Sequence, residues 1–287
     1  MTVFDEMVSE YGNVSGVARD NAMREVMQTI ALAGLARGGF FSKAAFYGGT
    51  CLHLLHGLNR FSEDMDFSLL ASDPAFRFED YFSAVKEEFR LAGKDVEIKL
   101  KRKGMPSAIE SAFLKESSDV YDIGFTTEKR LKVKLEVDID PPPCFNTEMK
   151  LLMRPTSSWI RSYDLPGLFA GKVSAALFRK WRTRVKGRDW YDFAWYVAHG
   201  VELDLVHLAE RGKESDPGID LSTPEAVVAA FEAKIDTVDF AAAREDVLPF
   251  IGDARELDIW SRDYFKAVVR QMKFCRVGGP DKSERTE

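Results

Sequence analysis

The chain has 287 residues, 45% of them hydrophobic and 30% charged, and a net charge of −6. That is length for one large or two modest domains with ordinary soluble composition, and it argues against a globally basic nucleic-acid binder while leaving room for a local basic patch. The widely spaced Cys51, Cys144 and Cys275 offer neither a disulfide framework nor a zinc cluster, no apolar run approaches the roughly 18 residues of a membrane span, and the start MTVFDEMVSEYG lacks signal-peptide character, so a cytoplasmic location is expected.

In chain order, Met23, Val26, Met27, Ile30 and Ala31 recur at helical spacing, which predicts an amphipathic helix over Val17–Leu35 ended by Gly38–Gly39. Ala44–Tyr47 reads as a short buried strand running into Gly48–Gly49–Thr50, and Cys51–Leu58 as a helix closed near Gly57. A second strand, Met65–Leu70, is followed by a helix over Phe78–Leu91 and strands over Asp95–Lys101 and Val120–Phe125. After a polar turn, Thr127–Arg130, the segment Leu131–Ile139 alternates strictly. Leu131, Val133, Leu135, Val137 and Ile139 take one face, and Lys132, Lys134, Glu136, Asp138 and Asp140 the other, until three prolines end the strand.

From Leu165 onward strand signals fade, and helices are expected over 165–185, 189–199, 224–235, 239–249 and 256–274. Ser222–Thr223–Pro224–Glu225 supplies a cap and a proline where a missing N–H costs nothing. The expected organisation is an α/β domain with an N-terminal helix over residues 1–155, a helical domain over 156–275, and a disordered tail over 276–287.

Asp64 and Asp66 open the second strand two residues apart, so both carboxylates point the same way. Two hard oxygen anions aimed at one point suit Mg²⁺, or Mn²⁺, which also binds substrate phosphates. An acidic pair at a strand end is also compatible with plain solvation. The preceding Gly48–Gly49–Thr50 turn changes the balance, because it opens a helix whose free N–H groups and positive dipole end suit a phosphate. Glu136 and Asp138 both offer a third carboxylate from the alternating strand, and both remain open as candidates; a solvated strand face would look the same. His53, His56, His199 and His207 show no ligand spacing and read as packing or surface residues.

The run Tyr47–Gly48–Gly49–Thr50–Cys51–Leu52, then Arg60, Ser62, Asp64 and Asp66, resembles the first motif of the AbiEii/AbiGii-type nucleotidyltransferase toxins, which are similar to DNA polymerase β-type nucleotidyltransferases. Lys172–Val173–Ser174–Ala175–Ala176, Arg179, and Arg188–Asp189–Trp190–Tyr191–Asp192 resemble that family's later lysine, arginine and Arg-Asp-x-x-Asp pattern. Cys51 stands where alanine is more usual. The resemblance implies a mixed-sheet α/β (α+β) nucleotidyltransferase core with the substrate between it and a C-terminal helical domain. It implies a catalytic Lys172 and at least one essential aspartate of Asp189 and Asp192, and a nucleotide site of Gly48, Gly49, Thr50, Arg60, Ser62, Lys172 and Arg179.

Lys172 and Arg179 fall on one helix face and suit the outer phosphates of an NTP, with Asp189 and Asp192 holding them. Lys172 by chemistry alone is a solvated lysine, and Asp189 alone a favourable helix start. Arg179, Lys180, Arg182, Arg184, Lys186 and Arg188, flanked by Trp181 and Trp190, suit an RNA backbone and its unpaired end, or form a solvated face. Lys99, Lys101, Arg102 and Lys103 are a weaker second patch. The expected activity is Mg²⁺-dependent transfer of an NMP from an NTP to an acceptor. By resemblance that acceptor is the tRNA acceptor end, and the chain is the toxin of a type IV toxin–antitoxin or phage-defence system with a cognate antitoxin. Transfer to a protein side chain, or a non-catalytic nucleotide-binding module, are the alternatives.

Overall fold

The computed structural model describes residues 1–100, 118–126, 131–141, 144–179 and 185–277. The expected Thr127–Arg130 turn, two of the three prolines, Lys101–Lys103, residues 180–184 of the basic run and the tail from 278 lie outside the described residues. The chain divides into two compact units, residues 1–141 with 148–162, and residues 142–147 with 163–287.

The first unit contains helices α1 (Val3–Ser9) and α2 (Gly16–Arg37), strand β1 (Ala44–Tyr47), helix α3 (Gly48–His56), strand β2 (Asp64–Leu69), helix α4 (Phe82–Leu91) and strands β3 (Val96–Leu100), β4 (Ser118–Phe125), β5 (Lys132–Asp138), β6 (Thr147–Leu152) and β7 (Ser158–Tyr163). Sequence periodicity does not reveal α1, although its signature is present: Thr2 and Asp5 form a reciprocal capping box. The helix expected over Phe78–Leu91 starts as a 3-10 turn, Phe78–Tyr81, before α4. Gly57, in the left-handed conformation at φ 79°, closes α3.

The seven strands form one mixed sheet in the order β3-β4-β5-β2-β1-β7-β6. β1 runs antiparallel to β2, and β2 parallel to β5, with Asp64 opposite Lys134 and Asp66 opposite Glu136. One sheet face is apolar: Phe46 and Phe67 stack across β1 and β2 at 5.1 Å, beside Met65, Leu135 and Val137, all fully buried. Burying side chains of this size stabilises by about 1.5–3 kcal/mol each, so a one-residue slip of β2 is strongly disfavoured. That apolar register holds Asp64 and Asp66 on the opposite face.

The first unit extends past the expected boundary at 155 because β7 pairs with β1 through Phe46 and Ser162. β6 and β7 escape sequence periodicity. On the outermost strand, β6, Met149 and Leu151 are both 45% exposed, so its alternation does not follow burial.

The second unit holds helices α5 (Leu165–Phe178) and α6 (Gly187–Ala198), strand β8 (Glu202–Asp204), helices α7 (Leu205–Ser215), α8 (Pro224–Thr237), α9 (Phe240–Val247) and α10 (Arg262–Val269), and strand β9 (Lys273–Cys275). β8 and β9 pair in parallel, so this half is not purely helical; three residues are too few to show a period. Trp190, Phe193, Phe231, Phe240 and Phe265 form its aromatic centre. Thr223 caps α8 by accepting from the Ala226 N–H, with Pro224 in the first turn as the sequence predicts. The helix expected over 256–274 shortens to α10, preceded by a 3-10 turn, Ala254–Leu257, and followed by β9. Among the described residues no helix is long and apolar enough to cross a membrane.

Candidate functional site

Three of the predicted segments meet at the end of β1. Gly48 has φ +84°, and a Cβ there would lie 2.5 Å from Asp66 Oδ2. A Cβ on Gly49 would lie 2.6 Å from Arg60 Nη2 and 3.4 Å from Ser62 Oγ. Gly48 is therefore favoured by both conformation and close approach, and Gly49 by close approach alone. Thr50 ties the α3 start to β2, its hydroxyl donating to the Asp64 carbonyl. The loop before β2 is anchored twice: Arg60, buried, donates to the Phe61 carbonyl at 2.9 Å, and Gln28 Nε2 of α2 donates to the carbonyls of Ser62 and Glu63 at 2.9 and 3.0 Å. Gln28 is invisible to motif reasoning because its work is done through backbone oxygens.

Gly48→Ala adds a methyl at positive φ and against a carboxylate. The expected cost is about 1–3 kcal/mol in stability, read from the denaturant midpoint, with displacement of Asp66.

The strand pairing distinguishes Glu136 from Asp138. Glu136 lies beside Asp66 in register, whereas Asp138 lies beside Ser68, is buried, and accepts the Asp140 N–H at 3.1 Å. Asp64, Asp66 and Glu136 thus share the polar face, yet no group of three His, Cys, Asp or Glu side chains among the described residues is arranged to hold a metal ion. The expected three-carboxylate set is therefore not preassembled. Lys134 intervenes: its Nζ is 2.9 Å from Glu136 Oε2. Burial works against its charge, but Glu136, Asp64 and Asp66 outweigh burial and hold its pKa above the ordinary lysine value. The alternation of β5 already puts Lys134 on this face, and only the register with Asp64 reveals its importance.

In the second unit, Lys172 of α5 lies 2.8 Å from Asp189 and 2.7 Å from Asp192, and Arg179 lies 2.8 Å from the other Asp189 oxygen. Both aspartates are buried. Burial would push the Asp189 carboxyl up, but the charges of Arg179, Lys172 and Lys186 hold it well below the usual carboxylate range. Burial, together with Arg179, Arg188 and Lys172, brings Lys186 down to about 8. The start of α6 is fixed in place: the Gly187 N–H donates to Asp246 at 2.9 Å, and Gly187 packs on the Ala243 carbonyl with no room for a Cβ. Arg188 stacks over Phe250, 4.2 Å from its centroid.

The histidines of α3 are structural. His53 bridges Glu25 at 2.8 Å and the Leu58 carbonyl at 2.6 Å. His56 is pushed down to about 4, first by burial and then by Lys150, so its 3.9 Å approach to Glu148 is not an ion pair near neutrality. A base depressed in the fold contributes stability above its unfolded value, near 6.5, that is lost as pH falls towards 4. His56→Gln is expected to flatten the pH dependence of the urea midpoint over that window.

A family model for the nucleotidyl transferase AbiEii toxin, of type IV toxin–antitoxin systems, matches residues 30–270. The chain belongs to the AbiEii nucleotidyltransferase toxin family. Both constellations of this AbiEii-family chain fall inside the matched range. Among solved structures it is similar to MenT4, a nucleotidyltransferase toxin from Mycobacterium tuberculosis H37Rv, at 16% identity and a TM-score of 0.59 over 94% of this chain and 88% of that one. That likeness concerns the fold. Two Helicobacter pylori structures also match: a putative nucleotidyltransferase at 20% identity, covering 86% of this chain and 92% of that one (TM-score 0.46), and JHP933 at 20%, covering 87% and 90% (TM-score 0.47). No curated protein matches the sequence.

Proposed function

We propose that the chain transfers a nucleoside monophosphate from an NTP to an acceptor hydroxyl, with the chemistry on the carboxylate face of β2 and β5. The observation that carries this is the packing of Asp66 against the Gly48 backbone and beside Glu136, which puts the glycine turn that opens α3 next to paired carboxylates. Asp64, Asp66 and Glu136 fit a divalent cation by donor chemistry, and a lysine ammonium already answers their charge. Mg²⁺ or Mn²⁺ held there supplies positive charge to the reacting phosphate and acidifies the attacking hydroxyl.

The protein's own parts have separate tasks. The first N–H groups of α3 and the Arg60 guanidinium beside Gly49 favour the triphosphate oxygens. The glycines admit it without a side-chain clash. The acceptor oxygen bonds to the α-phosphorus, the bond to the bridging oxygen breaks, and pyrophosphate leaves with that electron pair. Glu136, or Asp138 behind it, takes the hydroxyl proton. The Lys172–Arg179–Asp189–Asp192 cluster is proposed to be required for the same activity, with the aspartates holding the two cations in place.

The acceptor proposed is the unpaired end of tRNA. The supporting chemistry is the basic segment around Arg179 and Arg188, of which Arg179, Lys186 and Arg188 are described. The biological setting proposed is a cytoplasmic toxin acting with a cognate antitoxin. The test is incubation with Mg²⁺, each α-labelled NTP, and either total tRNA or total protein. Label in tRNA that vanishes with Asp64→Ala supports the reading. Label in protein moves the acceptor, and NTP binding without any transfer replaces the enzyme with a binding module.

A further inference from the structure

We propose that Lys134 is a built-in counter-ion of the carboxylate face, and that a divalent cation loads by displacing its ammonium from Glu136. The inference rests on the reading of Asp64, Asp66 and Glu136 as metal ligands. Parallel pairing of β2 with β5 sets Lys134 beside Asp64 and Glu136 beside Asp66. All four lie on one sheet face, because Met65 and Leu135, between them in sequence, occupy the buried face. The Lys134 ammonium is 2.9 Å from Glu136 Oε2, the charges of Asp64 and Asp66 also act on it, and Asp122, which faces Lys132, is its cross-strand partner on β4.

An ammonium and a hard divalent ion draw on the same carboxylate oxygens. They cannot share them at contact distance without like-charge repulsion. The pair is half-buried, with side-chain exposures of 31% and 19%, so salt screens it less than a surface pair. Lys132, two residues earlier on the same face, shows the contrast: it is 57% exposed and 3.7 Å from its partner Asp122. Lys132 is a solvated lysine, and Lys134 faces the candidate ligands. The lysine offsets part of the carboxylates' charge when no metal is present and lowers the affinity for the metal alone. Nucleotide phosphates offset that handicap, since they bring further anionic ligands for the ion and an alternative partner for the displaced ammonium.

The experiment is Mn²⁺ binding without nucleotide, by calorimetry and electron paramagnetic resonance, to the full chain and to Lys134→Met, Lys134→Arg and Asp64→Asn. Removing one positive charge at contact range is expected to tighten Mn²⁺ binding about ten-fold or more in Lys134→Met, while Lys134→Arg keeps the wild-type affinity. Unchanged or weaker binding in Lys134→Met overturns the proposal, as does equal tightening in Lys134→Arg, which would make the effect one of shape. If Lys134→Met does not fold, Lys134→Gln is measured in its place with the same expected tightening. Mn²⁺ binding that is untouched by Asp64→Asn, or absent from every form, defeats the metal-site reading itself and this inference with it.

Discussion

Asp64→Ala is expected to lower nucleotidyl transfer by about three orders of magnitude or more while leaving the fold intact. Removing an electrostatic stabiliser from such a site costs on the order of 10²–10³ in rate, and the loss of a metal ligand adds to it. The residue sits at the start of β2, and its structural tie is its backbone carbonyl, which accepts from Thr50 whatever the side chain is. Asp66→Ala is expected to be equally inactive but to loosen the Gly48 turn as well, because its carboxylate packs on that backbone. Single-turnover transfer of label and the denaturant midpoint, measured together, separate the two. An Asp64→Ala variant that still transfers at the wild-type rate removes the carboxylate face from the chemistry.

Lys172→Ala is expected to fail in two ways at once. It removes the ammonium between two buried carboxylates, and breaking such a pair costs about 3–5 kcal/mol. Activity is expected to fall with it, and Lys172→Arg, which keeps the charge, separates the two effects by restoring stability more than turnover. The pH dependence follows from Asp189. A carboxyl held low in the fold contributes stability above its unfolded value, near 4, that is lost as the pH falls below it. Arg179→Ala removes one of the charges that hold it, so this variant is expected to lose stability at neutral pH and to show a shallower acid dependence. Chemical denaturation between pH 3 and pH 7 reads both.

The parts of this molecule that were legible in the sequence are those fixed by local rules. β1 and β5 follow from apolar runs and strict alternation, the α8 start from Thr223–Pro224, and the α3 stop from Gly57. The pairing of Asp64 with Asp66 follows from the two-residue period alone. What stayed hidden depends on contacts distant in sequence. Nothing near Lys134 says that Asp64 lies beside it, and nothing near Gln28 says that it holds the carbonyls of Ser62 and Glu63. The choice between Glu136 and Asp138 could not be made from alternation, since both share a face; register separates them by placing one beside Asp66 and the other beside Ser68. The edge strand β6 is hidden for a different reason, as its exposed Met149 and Leu151 break the link between apolarity and burial.

The parallel pairing of β2 with β5 also bears on when the proposed carboxylate site can form during synthesis. Asp66 and Glu136 are neighbours in space but seventy residues apart in sequence, since 136 − 66 = 70. Contacts that distant form late, after the closure entropy of the intervening chain has been overcome. A nascent chain therefore carries Asp64 and Asp66 for the whole time needed to synthesise β3, β4 and β5 before Glu136 can take its place beside them in the proposed site.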